Sequence, residues 1–282
     1  MFRLVLDYPY THIPAAIDVS GANNHGTSRD VAFVSDGLSK GSGALVFHSP
    51  ASRVRVPNNP VFQHLHALKL ETVVRLDRLG QRQNLIEGHL SFAFFVRPDG
   101  VLEGTAFGRQ TPAGPKAWQG VNSASDSPDG VARMVPIGQW VNLRYEHDGF
   151  ASIRLFIDDQ LAAATYSIAS PIRPVGSHGV HIGNWPDADV YTFAGLMDRV
   201  RIWRWDPDAA YQQFFCRAPG RCWTAIDSQL GQWADGPDGR ERLRSLLQCI
   251  GDIQYRIINV VRGAGEDAIK ANEEFGLRYR RL

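Results

Sequence analysis

Two stretches of this chain concentrate side chains that do chemistry. Ala16 to Thr27, AIDVSGANNHGT, carries one carboxylate, two carboxamides, a serine, a threonine, a histidine and two glycines. Such a set of side chains raises the question of a metal site, a turn or filler between strands. The same residues suit a tight turn in which Asp18 hydrogen-bonds its own backbone, and the readings stay open. The second stretch, SHGVHIGNWPDADVY (177–191), brings His178, His181, Asp187 and Asp189 close in sequence. Transition metals take imidazoles and carboxylates. His178 and His181 are three apart, however, which puts them on opposite faces of a strand. Polar flanks around a strand are therefore the expectation.

The same stretch sets Trp185 and Tyr191 beside Asp187 and Asp189. Sugar binding uses this combination. Aromatic faces pack on the apolar C–H face of the ring, and carboxylates accept its hydroxyls. The plainer alternative is that Trp185 covers a sheet edge. The polar run GRQTPAGPKAWQGVNSASDSPDG (108–130), with Trp118 its one aromatic residue, is a second candidate. Loops of that length are usually functional or mobile. A Gly-x-Ser-x-Gly nucleophile elbow and a phosphate loop are both missing from the sequence.

The elements that must position these residues change character along the chain. Up to about Trp205 the signal is strands: RVRVP (53–57), LKLETVVRLD (68–77), LSFAFFVRPDGVLEGTAFG (90–108), WVNLRYEHDGFASIRLFIDDQLAAATYSI (140–168) and VRIWRW (200–205). Val141, Leu143 and Tyr145 share one face, as do Ile153, Leu155 and Ile157. The Asp-Gly pairs in HDGF and RPDGVL read as hairpin turns. One buried and one wetter face per strand implies antiparallel sheets packed face to face. Trp140 is expected to open a core strand, and Gly183 to mark a close backbone approach. From Asp206 the period turns helical. Asp206 and Pro207 form an N-terminal cap. Leu243, Leu246, Leu247, Ile250, Ile253, Ile257 and Val261 then form a stripe that ends at Gly263 and Gly265.

Composition narrows the classes. The chain has 282 residues, 44% hydrophobic and 21% charged, with a net charge of +1. No global field favours nucleic acid or an anionic membrane, and no window is long and apolar enough for a membrane span. Cys216, Cys222 and Cys249 are the 3 cysteines, all in the last quarter. The first 215 residues therefore form no disulfide scaffold. Five residues between Cys216 and Cys222 permit a bridge without requiring one. The opening MFRLVLDYPYT shows neither the apolar core nor the cleavage site of a signal peptide. Localisation stays open: cytoplasmic, exported by a signal-independent route, or extracellular if a signal has been removed.

The motif order DVSGANNHG, GALVF, SRVRVP, LETVVRLD, IGQWVNLRYEHDGFASIRLFIDDQLAA, VHIGN and FAGLMDRVRIW resembles the laminin G-like, concanavalin A-like jelly-roll superfamily over roughly residues 15–206. The resemblance implies a mainly β fold, a two-sheet antiparallel jelly-roll sandwich, spanning 1–206. Residues 207–282 follow as a C-terminal α-helical extension. It also implies one structural calcium ion, held by Asp18 and Asp198 with Asn23 or Asn24. Two departures stand out: Asp159 replaces the glycine usual at the FIDDQL turn, and Arg199 follows Asp198 where an acid is usual.

Related jelly rolls include glycoside hydrolases and polysaccharide lyases. The Glu-x-Asp-x-x-Glu string of laminarinase-type hydrolases is absent here, as is the Gln-Ile-His pattern of alginate lyases. The expectation is a non-catalytic binding module for glycan or another surface ligand, contacting it through Trp185, Asp187, Asp189, Tyr191 and Trp118. The alternative is an assembly component, homo-oligomeric or part of a larger particle, docked through 207–282. A divergent glycan-active enzyme is the remaining possibility.

Overall fold

The computed structural model describes residues 2–11, 16–39, 42–63, 65, 67–108, 118–149, 152–166 and 172–205. The helices, cysteines and assembly surface expected over 207–282 lie outside the described residues. Among the described residues fifteen strands form: β1 (Phe2–Tyr8), β2 (Thr27–Arg29), β3 (Val31–Val34), β4 (Ala44–Phe47), β5 (Arg53–Val56), β6 (Leu68–Leu76), β7 (Gln83–Gly88), β8 (Phe92–Val96), β9 (Leu102–Phe107), β10 (Trp118–Asn122), β11 (Trp140–His147), β12 (Ile153–Ile157), β13 (Gln160–Thr165), β14 (Val180–Ile182) and β15 (Gly195–Trp205). Among the described residues the one helical turn is a 3-10 turn at Pro60–Phe62, capped by Asn59. No described helix is long and apolar enough to cross a membrane.

The strands make two antiparallel sheets. The eight-stranded sheet runs β13-β12-β11-β6-β15-β4-β3, with β1 also paired to β15. The seven-stranded sheet runs β10-β9-β8-β7-β14-β5-β2. Alternation decides which side chains face inward. Along β11 Val141, Leu143 and Tyr145 are buried, and Trp140, Asn142, Arg144 and Glu146 are not. Trp140 therefore lies on the outer face, half-buried under the Arg75 guanidinium. It is not the core residue its size suggested, because Val141 takes the inward position beside it. Ile153 and Leu155 are buried as expected, while Ile157, the last residue of β12, is only partly covered.

The two inner faces interdigitate. Tyr145 from one sheet packs over Phe94 of the other, ring centroids 6.0 Å apart. Gly104 makes the room, since a Cβ there would lie 2.1 Å from the Tyr145 ring. Burying an aromatic or branched side chain of this kind stabilises the fold by about 1.5–3 kcal/mol. Both Asp-Gly sites turn the chain: Gly100 (φ +90) and Gly149 (φ +80) adopt the left-handed region. At the FIDDQL turn Asp158 (φ +49) and Asp159 (φ +63) do the same without a glycine, which aspartate tolerates better than most residues.

Gly183 confirms the close approach expected of it. Its φ is +79, and an added Cβ would sit 2.2 Å from Cε1 of Phe47. Phe47 is fully packed and also meets Phe193 edge-on at 5.8 Å. Gly183→Ala combines backbone strain with overpacking and is expected to cost about 2–4 kcal/mol in a urea denaturation series.

Candidate functional site

The loop from Asp18 to Gly26 is a backbone anchor. Asp18 is buried. Its Oδ1 accepts the N–H groups of Asp7 and Ser20, each at 2.9 Å. Its Oδ2 accepts the Ser20 hydroxyl and the Asn24 N–H, also at 2.9 Å. A carboxylate offers about four lone-pair sites, and all four are engaged. Asn23 sits exposed at φ +56, forming the turn itself. The buried Asn24 side chain donates to the Val5 carbonyl, and the Asn24 backbone carbonyl accepts the Tyr8 hydroxyl at 2.6 Å. Asp198 serves a different segment, where its Oδ2 accepts the Leu38 N–H and the Ser42 hydroxyl. The hydrogen bonds at Asp18 make a turn that pins β1.

The other candidate residues lie on the outer face of the seven-stranded sheet. Residues 183–193 rise from a buried base in which the Phe193 N–H donates to the Gly183 carbonyl at 2.9 Å. Asn184 donates to the Pro50 carbonyl and to the Thr192 hydroxyl, each at 3.0 Å. At the top, Trp185 and Tyr191 meet with ring centroids 5.7 Å apart and planes inclined at 50°. Tyr191 is 41% exposed and adopts φ +56, a strained conformation that clusters at ligand sites.

Beneath these rings lies a polar cluster on β7. The register of β7 against β8 shifts between Asn84 and Ile86. Leu85 is the extra residue, and both it and Ile86 are fully buried. The bulge returns Asn84 and Glu87 to the same outer face. The Asn84 amide donates to Glu87 Oε2. Arg82 donates to Asn84 Oδ1 at 2.8 Å and to Glu87 Oε2 at 3.2 Å. The Arg82 guanidinium also stacks over Phe95 at 3.8 Å and over Tyr191 at 4.8 Å. Burial pushes the Glu87 carboxyl up to about 7, against the pull of Arg82 and of the Asn84 hydrogen bond, and the Asp187 charge adds to the rise. Glu103, opposite Phe95 on β9, is also raised by burial.

Asp187 and Asp189 part company. Asp189 pairs with Arg53 on β5. Asp187 Oδ1 lies 3.1 Å from Nε2 of His89 and 2.9 Å from Nδ1 of His178. His178 sits in the turn before β14, while His181, within β14, is buried opposite Glu87. Burial, with Arg53 and Arg55, drives the His181 pKa down to about 4. Trp118 is 50% exposed and meets Phe107 edge-on at 5.2 Å on the edge strand β10. It therefore stands three strands away from β7, apart from Trp185 and Tyr191. Sequence reading missed Arg82, Asn84, Glu87, His89 and Phe95. The signal was present in QRQNLIEGH, where polar residues flank an apolar pair, but the bulge breaks the alternation by which strands are recognised.

No protein-family model matches the chain, and no curated protein matches it. Solved structures do. Domain 4 of AbnA, a GH43 extracellular arabinanase from Geobacillus stearothermophilus, solved in complex with arabinotriose, superposes with a TM-score of 0.53 at 18% identity, over 72% of this chain and 93% of that one. The binding domain of botulinum neurotoxin serotype G gives a TM-score of 0.53 at 12% identity, over 76% of this chain and 51% of that one. This chain thus spans about half of the neurotoxin domain. Such similarities establish an all-β, two-sheet sandwich.

Two outcomes test the site's chemistry. Melts in millimolar calcium and in chelator should superimpose, whereas Asp18→Ala should lower stability by about 3–5 kcal/mol, because it strips the buried N–H groups of their acceptor. Glu87 has a folded pKa above its unfolded one, so its stabilising contribution is complete below about pH 4.5 and is lost as pH rises to about 7. In chelator, the stability of Glu87→Gln relative to the parent should therefore climb across that window and level off above it.

Proposed function

We propose that this chain is a non-catalytic glycan-binding module of the laminin G-like, concanavalin A-like jelly-roll kind. Its sugar platform is the Trp185–Tyr191 pair. The observation that carries this reading is the juxtaposition of those rings with the Arg82–Asn84–Glu87 cluster. An aromatic surface takes the C–H face of a pyranose or furanose ring, and fixed planar polar groups beside it read hydroxyl positions. The arabinanase domain of the same fold, solved with arabinotriose, supports an oligosaccharide as the ligand class. The polar partners differ from those expected: Asp189 is committed to Arg53, and the β7 cluster takes its place. Trp118 offers a second, separate contact along the same sheet face.

Isothermal titration with arabinotriose and a panel of longer neutral oligosaccharides tests the proposal. Trp185→Ala and Tyr191→Ala should each weaken the best ligand at least about tenfold, with Trp118→Ala the milder change. Unchanged affinity in both loop variants would move the site elsewhere. The oligosaccharides should be recovered intact after prolonged incubation. Cleavage that disappears in Glu87→Gln would instead make the chain a hydrolase.

A further inference from the structure

We propose that His89, His178 and Asp187 form a zinc site where β7 ends and β14 begins, in the middle of the seven-stranded sheet, clamping the loop that carries Trp185 and Tyr191. The metal-ligating atoms of the three residues lie within 4.8 Å of one another. Asp187 Oδ1 already sits 3.1 Å from His89 Nε2 and 2.9 Å from His178 Nδ1. In a tetrahedral zinc site, with bonds of about 2.0–2.2 Å, neighbouring donors stand about 3.3–3.5 Å apart. Closing this set around an ion needs shifts of a few tenths of an ångström on those two edges. The donor chemistry selects the metal, because two imidazoles and one carboxylate suit zinc and leave a fourth position for water, while calcium wants oxygen alone.

Two of the ligands are held in place without any ion. The His89 N–H donates to the Gly179 carbonyl at 3.0 Å, and the Gly176 N–H donates to the His89 carbonyl at 2.7 Å. This lock ties the end of β7 to the turn that bears His178. Gly176 also vacates the space of the His89 ring, since a Cβ there would lie 2.3 Å from Nδ1. The two imidazoles stack at 4.3 Å with planes inclined at 12°. Parallel rings do not aim both lone pairs at one point, so one ring must turn. His178, with its side chain 47% exposed, has the room, while His89, at 11%, does not. His89 Nδ1 accepts the His178 N–H in a long contact of 3.5 Å; zinc on Nε2 requires the tautomer with its proton on Nδ1, so binding must also release that contact as the His178 segment turns. Asp187 belongs to the loop between Trp185 and Tyr191, so the ion would fasten that loop to the adjoining ends of β7 and β14.

The test uses the full chain, stripped with chelator and titrated with zinc by calorimetry and with cobalt(II) by visible absorption. The expected result is one equivalent of metal, an intense tetrahedral cobalt spectrum without a thiolate charge-transfer band, and a zinc-dependent rise in melting temperature. His178→Ala and Asp187→Asn should each weaken zinc at least about tenfold and remove the zinc-dependent thermal shift, measured against each variant's own metal-free melt. The proposal is overturned by absence of uptake, by uptake indifferent to both substitutions, or by a thiolate band, which would assign the metal to the cysteines. Sugar affinity measured on the same stripped samples is independent of this outcome, so the two proposals fail separately.

Discussion

Two backbone hydrogen bonds from one β-bulge hold the whole candidate site. The carbonyl of Leu85, the extra residue in β7, accepts the Gly183 N–H at 3.0 Å, and the Asn84 N–H donates to the Tyr191 carbonyl at 2.7 Å. These bonds grip residues 183–193 near both ends, at the point where the chain leaves β14 in one sheet for β15 in the other. A regular strand would spend those same groups on its neighbours. A bulge frees them, bends the strand and re-aims its side chains. The polar cluster beneath the rings and the anchoring of the rings themselves thus have one cause.

The base of the loop is built like core, and its tip is not. Asn184 and Phe193 are fully buried and Thr192 nearly so, while Ala188, Asp189, Val190 and Tyr191 are exposed. Burying polar Asn184 is tolerable because its amide donates to both Pro50 and Thr192. A rigid base beneath a short exposed tip lets a ligand find its contacts already arranged, which lowers the entropy lost on binding. The loop at Asp18 uses the same economy at the other end of the chain, with a single carboxylate organising residues 7, 20 and 24.

Much of the architecture was legible in the sequence, and the reasons are specific. The alternation of β11 named its inward residues, Val141, Leu143 and Tyr145, and the glycines at 100, 149 and 183 marked real turns or close contacts. Trp140 misled because size was read ahead of parity. Strand β7 escaped notice because Leu85 interrupts its period, so the residues that line the site came without a strand to place them. Trp185, Asp187 and Tyr191 stood out as candidates by type and spacing. Their partners, Arg82, Glu87 and His89, were not, since pairing across about a hundred residues depends on sheet order, which local pattern does not encode. His178 was weighed against its neighbour His181, whereas its actual companion is His89, 89 positions back from it along the chain by the hydrogen bond that links them.

Strand β15 pairs with β1 so that Trp205 lies opposite Phe2, their rings meeting edge-on at 5.9 Å. The two ends of the sandwich therefore leave it side by side. Tension applied through those ends acts across the β1–β15 ladder, and its hydrogen bonds open one after another like a zipper, not together in shear. A sandwich strung this way peels at its first strand under modest force. It also accepts a short tether between residues 2 and 205, so its chain could be closed there and reopened at a surface turn with the fold intact.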